Sequence, residues 1–171
     1  MHQYNQYYQY YQQQHYPPPK LPGQTMLLVT GILLIVFNSI GSIMLIGTLA
    51  MIDTWLWQFG GNSMRALWQI IYTVGILVTL AAVGLGILGI AFSTKADKAK
   101  VLLAAVAAVL VVTMLYNIVF VMMVMQYEAG LAVLEIITMP LGFVVPIIFI
   151  VGAVRNNNFH KNLPNIYNNH S

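Results

Sequence analysis

The sequence predicts an all-α integral membrane protein, a four-helix bundle with both termini in the cytoplasm and a disordered tail at each end. Of its 171 residues, 59% are hydrophobic and only 6% are charged, whereas average globular chains carry about 45–50% apolar and about 25% charged residues. So few charges cannot cover the surface of a soluble domain, and a disordered chain needs low hydrophobicity and high charge. The composition therefore excludes a soluble monomer and a wholly disordered chain.

The four helices follow from the spacing of the charged residues. Four uncharged stretches, of 32, 29, 27 and 19 residues, are long enough to span a bilayer, because about 20 helical residues cross a hydrocarbon core of about 30 Å. Runs such as 101–112 show no alternation of polar and apolar residues, which disfavours a barrel. We expect a membrane domain over 25–155, with helices near residues 26–52, 67–92, 100–126 and 130–154.

The distribution of basic residues indicates the orientation. Three lysines and one acid stand between the second and third spans, at Lys95, Lys98, Lys100 and Asp97. The two tails hold three more basic residues, and only Arg65 lies in the opposite loops. We therefore expect both termini and the middle loop in the cytoplasm, where basic residues face an anionic lipid leaflet. The net charge of +3 requires no nucleic acid partner.

Two polar tails flank the membrane domain. Residues 156–171 contain seven asparagines, and residues 1–24 begin with six tyrosines and six glutamines among the first 16 positions. Neither tail can bury enough surface to offset the entropy of ordering, so we expect both to be disordered. The N-terminal tail is either a solvated leader or a self-associating segment that binds through tyrosine stacking. Its candidate contact residues are Tyr4, Tyr7, Tyr8, Tyr10, Tyr11 and Tyr16.

Three tryptophans mark the expected outer membrane interface. Trp55 and Trp57 stand where the first helix should leave the bilayer, and Trp68 stands where the second should enter it. Tryptophan is enriched at membrane–water interfaces because its ring is amphipathic. We expect these three side chains to be interfacial anchors.

Small residues indicate how the helices pack. Four of them recur at spacings of four, three and four residues on one face of the second helix, and two alanines are four residues apart on the third. Small residues let helix backbones approach closely in lipid, so we expect a tight hairpin between these helices. The same faces could instead join copies of the chain in a homo-oligomer. The residues concerned are Ala82, Gly86, Gly89, Ser93, Ala104 and Ala108.

The fourth helix combines two prolines with an acid. Pro140 and Pro146 each remove a backbone donor and predict a kink. Glu135 either lies buried in the outer half of the bundle or caps the helix at the interface, where the helix dipole favours an acid. In the buried case we expect a small polar cluster of Glu135, Asn117 and Tyr72.

The residues that usually carry catalysis or bind metals are scarce. The chain has no cysteine, which excludes disulfides and thiolate sites, and all four histidines fall in the tails. Gly84-x-Gly86-x-x-Gly89 lies inside a hydrophobic helix with no preceding strand, so it is not a phosphate-binding loop. We expect no catalytic residue, no cofactor and no metal site, and hence no enzyme.

The layout of the chain carries a family resemblance. A Tyr/Gln/Pro-rich leader over Tyr4–Pro19 precedes four spans, and the second ends in Gly84-Leu-Gly-Ile-Leu-Gly-Ile-Ala-Phe before a lysine-rich turn and an alanine-rich third span. This resembles small uncharacterised tetraspan membrane proteins of Gram-positive bacteria, and the topology is similar to that of animal MARVEL-type tetraspans. Claudins are a poorer match, because they carry a cysteine pair in the first outer loop. The resemblance implies the tetraspan topology and transfers no catalytic or binding residue.

The sequence thus favours a non-enzymatic scaffold of the cell membrane. In this interpretation, the helices anchor the N-terminal tail, which recruits a cytoplasmic partner, while further copies or another membrane protein contact the helices. The alternative is a small oligomeric channel or transporter, in which Glu135 and the kinked fourth helix line a path. A pore needs a polar stripe along one helix, whereas Asn38, Asn117 and Glu135 lie at different depths.

Overall fold

Four long helices make up nearly all of the chain that the computed structural model describes, which is residues 20–56, 62–126 and 129–168. Side chains are described over the same ranges except at 52–56, 62–64, 129–132, 134–135, 138, 141 and 162–168. One 3-10 turn, Ala96–Lys98, precedes the third helix, and the described residues contain no strand. The helices are α1, Gln24–Leu56; α2, Asn62–Phe92; α3, Ala99–Met125; and α4, Ala129–Asn168.

Each helix contains a segment that is long and apolar enough to cross a membrane. These segments are Gln24–Met51, Arg65–Phe92, Ala96–Met125 and Gly142–Lys161. The prediction of an all-α chain with four such helices is therefore confirmed. The bounds of α1, α2 and α3 lie within five residues of those predicted from the charge spacing.

The fourth helix differs from its prediction at the C-terminal end. It continues to Asn168, which is 14 residues beyond the predicted end at residue 154. At about 1.5 Å per residue this extension adds roughly 21 Å of helix. The structure thus places in α4 most of the residues that the composition assigns to a C-terminal tail.

Short turns set the directions of the helices at one end of the molecule. The chain enters α1 through a turn in which the Gln24 N–H donates to the Leu21 carbonyl oxygen at 3.0 Å. It leaves α2 through another, in which the Lys95 N–H donates to the Phe92 carbonyl oxygen at 2.9 Å. The 3-10 turn brings the end of α2 next to the start of α3 and also contacts α4. The start of α1 lies at the same end, because Asn156 of α4 is hydrogen-bonded both to Gly23 and to Ser93.

The helices pack in a closed order. Each contacts its neighbours in sequence, α4 also contacts α1, and the contact between α1 and α2 is the most extensive. The buried apolar core belongs to the half of the molecule that contains the α2–α3 turn. Its members are Leu27, Leu34, Leu85, Leu102, Val106, Phe149 and Ala153.

Candidate functional site

A buried polar junction fastens the start of α1 to the end of α2 and to α4. The side-chain oxygen of Asn156 accepts a hydrogen bond of 2.8 Å from the backbone N–H of Gly23. The side-chain nitrogen of Asn156 donates one of 3.2 Å to the backbone carbonyl oxygen of Ser93. Asn156 is 0% exposed, so both bonds form away from solvent. One side chain thereby joins three helices.

The helices around this junction are in close contact. A β-carbon at position 23 would collide with the carbonyl oxygen of Gly152, and one at position 89 would collide with the ring of Phe149. Phe149 is itself fully buried, as is Leu27 of α1. A side chain at position 23 would meet the backbone of α4 and push the helices apart, and one at position 89 would require the buried ring of Phe149 to move.

Basic residues surround the junction. Six of the seven lysines and arginines lie at this end of the helices, against one acid, which gives a local charge of +5 (six minus one). By sequence, the segments 53–65 and 128–135 hold one basic residue and three acids, hence −2 (one minus three). We call the six residues the basic collar: Lys20, Lys95, Lys98, Lys100, Arg155 and Lys161.

Two lysines of the collar have defined contacts. The ammonium of Lys95 lies 5.6 Å from the ring centroid of Phe92, within the range of a cation–π interaction. The ammonium of Lys98 lies 3.8 Å from a carboxylate oxygen of Asp97, with both side chains partly exposed. Such an exposed pair contributes little to stability, so the collar keeps most of its positive charge.

The predicted small-residue face of α2 packs against α1 and α4. Its four residues, Ala82, Gly86, Gly89 and Ser93, are buried. A β-carbon on Gly86 would lie 2.6 Å from the carbonyl oxygen of Gly31 in α1, and one on Gly31 would lie 2.8 Å from the carbonyl oxygen of Gly86. The two backbones therefore cross at this pair of glycines.

The corresponding face of α3 does not meet α2 as expected. Ala104 and Ala108 are both exposed, whereas α3 buries Leu102 and Val106. The sequence predicts a tight hairpin between α2 and α3 through the alanines. In the structure the glycines of α2 instead contact α1 and α4: Gly86 lies against Gly31 of α1, and Gly89 lies against Phe149 of α4.

A second polar contact joins α1 to α2 farther from the junction. The hydroxyl oxygens of Ser42 and Thr79 lie 2.7 Å apart, which is hydrogen-bonding distance. Asn38, one turn before Ser42, donates its side-chain N–H to the Leu34 carbonyl oxygen of its own helix at 2.8 Å. The hydroxyls of Ser42 and Thr79 and one N–H of Asn38 are thus hydrogen-bonded to other protein atoms.

Aromatic rings pack between α2 and α3 toward the opposite end. The Trp68 and Tyr72 rings stack with centroids 5.8 Å apart, and Tyr72 meets Phe120 edge-on at 6.4 Å. Tyr116 stacks on Phe120 at 5.9 Å, and a β-carbon on Gly75 would collide with the Tyr116 hydroxyl. Offset and edge-to-face rings of this kind stabilise packing beyond their buried area.

The remaining predicted site residues are only partly covered by the structure. Tyr72 contacts aromatic rings, Asn117 is half-buried on α3, and the side chain of Glu135 lies outside the described residues. The polar cluster of these three residues therefore stays a prediction. Trp68 belongs to the aromatic group, while the side chains of Trp55 and Trp57 and the tail tyrosines Tyr4, Tyr7, Tyr8, Tyr10, Tyr11 and Tyr16 lie outside the described residues.

Two of the cavities between helices are lined by described residues. One, of 290 Å³, lies between α1 and α4 and includes Asn38 and Gly142 in its lining. The other, of 310 Å³, lies between α2 and α3 and is lined by aliphatic side chains and Tyr116. Across the described ranges, no three His, Cys, Asp or Glu residues come together as metal ligands would.

Comparison of the chain with protein-family models, with curated proteins and with solved structures gives no match.

The sequence analysis does not identify Gly23, Gly152 and Asn156 as site residues. A signal for Asn156 is present, because Phe149, Gly152 and Asn156 recur at spacings of three and four residues along one helix face. That periodicity continues the helix past the apolar run. The run of three asparagines at 156–158 instead favours a disordered tail, because such runs are typical of tails.

Proposed function

We propose that the protein is a non-enzymatic scaffold of the cell membrane. Its four helices form a transmembrane bundle with both termini in the cytoplasm, and the bundle holds the Tyr/Gln-rich N-terminal segment at the cytoplasmic surface. The segment recruits a cytoplasmic partner or further copies of the chain. The observation that carries the proposal is the buried junction at the point where that segment joins α1.

The junction supports an anchoring role because it fixes the base of the N-terminal segment. Leu21 is only 5% exposed, and the next buried residue, Gly23, is hydrogen-bonded to Asn156 of α4. The connection between the segment and the bundle is therefore a few immobilised residues rather than a long flexible linker. A binding segment held in this way stays at a fixed position on the membrane surface, which raises its effective concentration toward partners there.

The charge distribution supports the proposed orientation. The basic collar together with Asp97 gives a net charge of +5 at the end where α1 begins, whereas the segments 53–65 and 128–135 sum to −2 by sequence. Loops rich in lysine and arginine stay on the cytoplasmic side, and anionic lipids of the inner leaflet attract them. In this orientation the polar junction lies next to the cytoplasm.

Labelling of single cysteines tests the orientation. The chain has no native cysteine, so each variant introduces a single thiol. Ser63→Cys places it in the first turn of α2, and Ser171→Cys places it three positions after the last residue of α4. On intact cells, a membrane-impermeant maleimide should label Ser63→Cys and leave Ser171→Cys unlabelled until the cells are permeabilised. The reverse pattern would refute the orientation while leaving the four helices intact.

Oligomer mass tests the role of the N-terminal segment. The mass in detergent is measured for the full chain, for a truncated chain beginning at Leu21, and for a full-length variant with serine at all six tail tyrosines. The scaffold proposal predicts a larger assembly for the full chain and a monomer for both variants. The serine variant separates the tyrosine rings from the mere length of the segment. If all three proteins give the same mass, self-association through the tail is refuted, and only a heterologous partner remains.

The alternative function, a small oligomeric channel or transporter, draws its support from the cavity between α1 and α4 at the proline-bearing part of α4. Its test is ion flux through liposomes containing the protein, compared between the native chain and Glu135→Gln. Flux that depends on Glu135 would favour the channel. Absence of flux above that of protein-free liposomes would favour the scaffold.

A further inference from the structure

The cavity between α1 and α4 combines an apolar wall with exposed polar groups. Its volume is 290 Å³, which is room for about ten non-hydrogen atoms at roughly 30 Å³ for each water-sized group. The lining residues are Leu33, Leu34, Phe37, Asn38, Gly142 and Val145. Four of these six side chains are purely hydrocarbon, so the polar groups come from the other two residues.

The first polar group is the backbone at Gly142. Because glycine has no side chain, backbone atoms line the cavity at this position. In an α-helix the carbonyl oxygen of residue 142 accepts from the N–H of residue 146, but that residue is Pro146 and has no N–H. The Gly142 carbonyl oxygen therefore lacks its usual helical donor. A β-carbon placed here would meet no atom within 4 Å, which shows that the space beside it is open.

The second polar group is the side-chain amide of Asn38. Its nitrogen donates one hydrogen to the Leu34 carbonyl oxygen at 2.8 Å. A carboxamide has two N–H donors and one carbonyl acceptor, so a second N–H and the side-chain oxygen remain for a ligand. Asn38 is half-buried, which leaves these atoms accessible from the cavity.

Both groups lie at the same depth in the proposed bundle. Asn38 follows Gly23 by 15 residues, and Gly142 precedes Asn156 by 14 residues, so each is about 21–22 Å from the junction along its helix. Asn38 is also at the middle of the segment Gln24–Met51. At that depth the bilayer is hydrocarbon and supplies no water, and an unsatisfied polar group there costs several kcal/mol.

We propose that this cavity binds a small apolar molecule with a single hydroxyl group, of the size of a medium-chain alcohol. The hydroxyl donates its hydrogen to the Gly142 carbonyl oxygen and accepts one from the Asn38 side-chain nitrogen, and the hydrocarbon body fills the apolar wall. A hydroxyl is the smallest group that can do both. A pure hydrocarbon would satisfy neither polar group, and a phospholipid headgroup is too polar to leave the interface.

The second cavity is an internal control for this inference. It has a similar volume, 310 Å³, and lies between α2 and α3. Its lining is aliphatic apart from Tyr116, and no proline removes a backbone donor from it, so it should not distinguish an alcohol from an alkane.

Photolabelling of the purified full-length protein in detergent tests the proposal. The probes are a diazirine derivative of octanol and the matching derivative of octane, and the labelled residues are located by mass spectrometry. We expect the octanol probe to label residues 33–38 and 142–145 in preference to the lipid-facing surfaces, with saturation and with competition by unlabelled octanol. The octane probe should show no such preference.

Three substitutions sharpen the test. Asn38→Leu keeps the volume and removes the amide, and it should weaken labelling about five-fold, the effect of one ordinary hydrogen bond. Gly142→Leu fills the open space and should abolish labelling of the cavity. Gly84→Leu is the matched control, because Gly84 also has no atom within 4 Å of a β-carbon but lies in α2, away from the cavity; labelling should stay unchanged.

Several results would overturn the proposal. They are labelling that rises linearly without saturation, equal preference of the octane probe for the cavity, and unchanged labelling in Asn38→Leu. Among the described residues, the side chain of Asn38 hydrogen-bonds within its own helix, so Asn38→Leu should fold. An unchanged elution volume in gel filtration checks this point.

Discussion

The close crossing of α1 and α2 at Gly31 and Gly86 predicts that Gly86→Ala lowers the stability of the protein. In Gly86→Ala the new β-carbon would lie 2.6 Å from the Gly31 carbonyl oxygen, where ordinary contact begins at 3.4 Å. The shortfall is 0.8 Å (3.4 minus 2.6), and the obstacle is backbone, which cannot rotate away. Overpacking of this kind costs about 1–3 kcal/mol. Alanine regains up to about 1 kcal/mol through its higher helix propensity, so the net loss should reach about 2 kcal/mol.

The control lies two residues away in the same helix. A β-carbon at Gly84 would meet no atom within 4 Å, so Gly84→Ala gains the propensity without the collision and should be neutral or stabilising by up to about 1 kcal/mol. The difference between the two variants isolates the cost of the close crossing. It should be about 1–3 kcal/mol.

Unfolding by increasing fractions of dodecyl sulfate in mixed micelles, followed by tryptophan fluorescence, measures both variants. We expect the midpoints in the order Gly86→Ala, native chain, Gly84→Ala, from the least to the most stable. Equal midpoints for the two variants would show that the backbones of α1 and α2 do not approach closely at this pair, and the account of their packing would have to be abandoned.

Two further predictions use the same titration. Asn156→Ala should lower the free energy of unfolding by about 1–3 kcal/mol, because it leaves the buried N–H of Gly23 without an acceptor. The control is Asn158→Ala, on the exposed side of the same helix, which should have no effect. Similar losses in both variants would argue against the junction. A double-mutant cycle of Ser42→Ala and Thr79→Val should give a coupling free energy of about 0.6 kcal/mol, the average for hydrogen bonds between membrane helices; additive effects would mean that the two hydroxyls do not interact.

The number and the bounds of the helices could be read from the sequence because they depend on local composition. An uncharged apolar stretch of the right length forms a helix whatever its neighbours are. The end of α4 could not be read in the same way. Asn156 is polar and stands in a run of asparagines, and its burial depends on a donor at Gly23 and an acceptor at Ser93. Both partners come from distant parts of the chain, which no local pattern reveals.

The small-residue face of α2 can be predicted from the local sequence, but the helix that it contacts cannot. The spacing of Ala82, Gly86, Gly89 and Ser93 predicts that they share one helix face, since helical periodicity is a local property, and all four residues are buried. The partner of that face is a tertiary property. From the sequence we expect this face to meet the alanines of α3. In the structure it meets α1, where the backbones of Gly31 and Gly86 approach closely.

The junction also has a consequence for the synthesis of the protein. Gly23 and Asn156 are separated by 133 residues, so the ribosome must add most of the chain before their hydrogen bond can form. At about 5–20 residues per second this takes roughly 7–27 s. During that interval the first helix is already made while its buried N–H has no acceptor. The nascent protein therefore remains incomplete until its last helix arrives, and a chain released early would differ from a finished one at the surface where α1 begins.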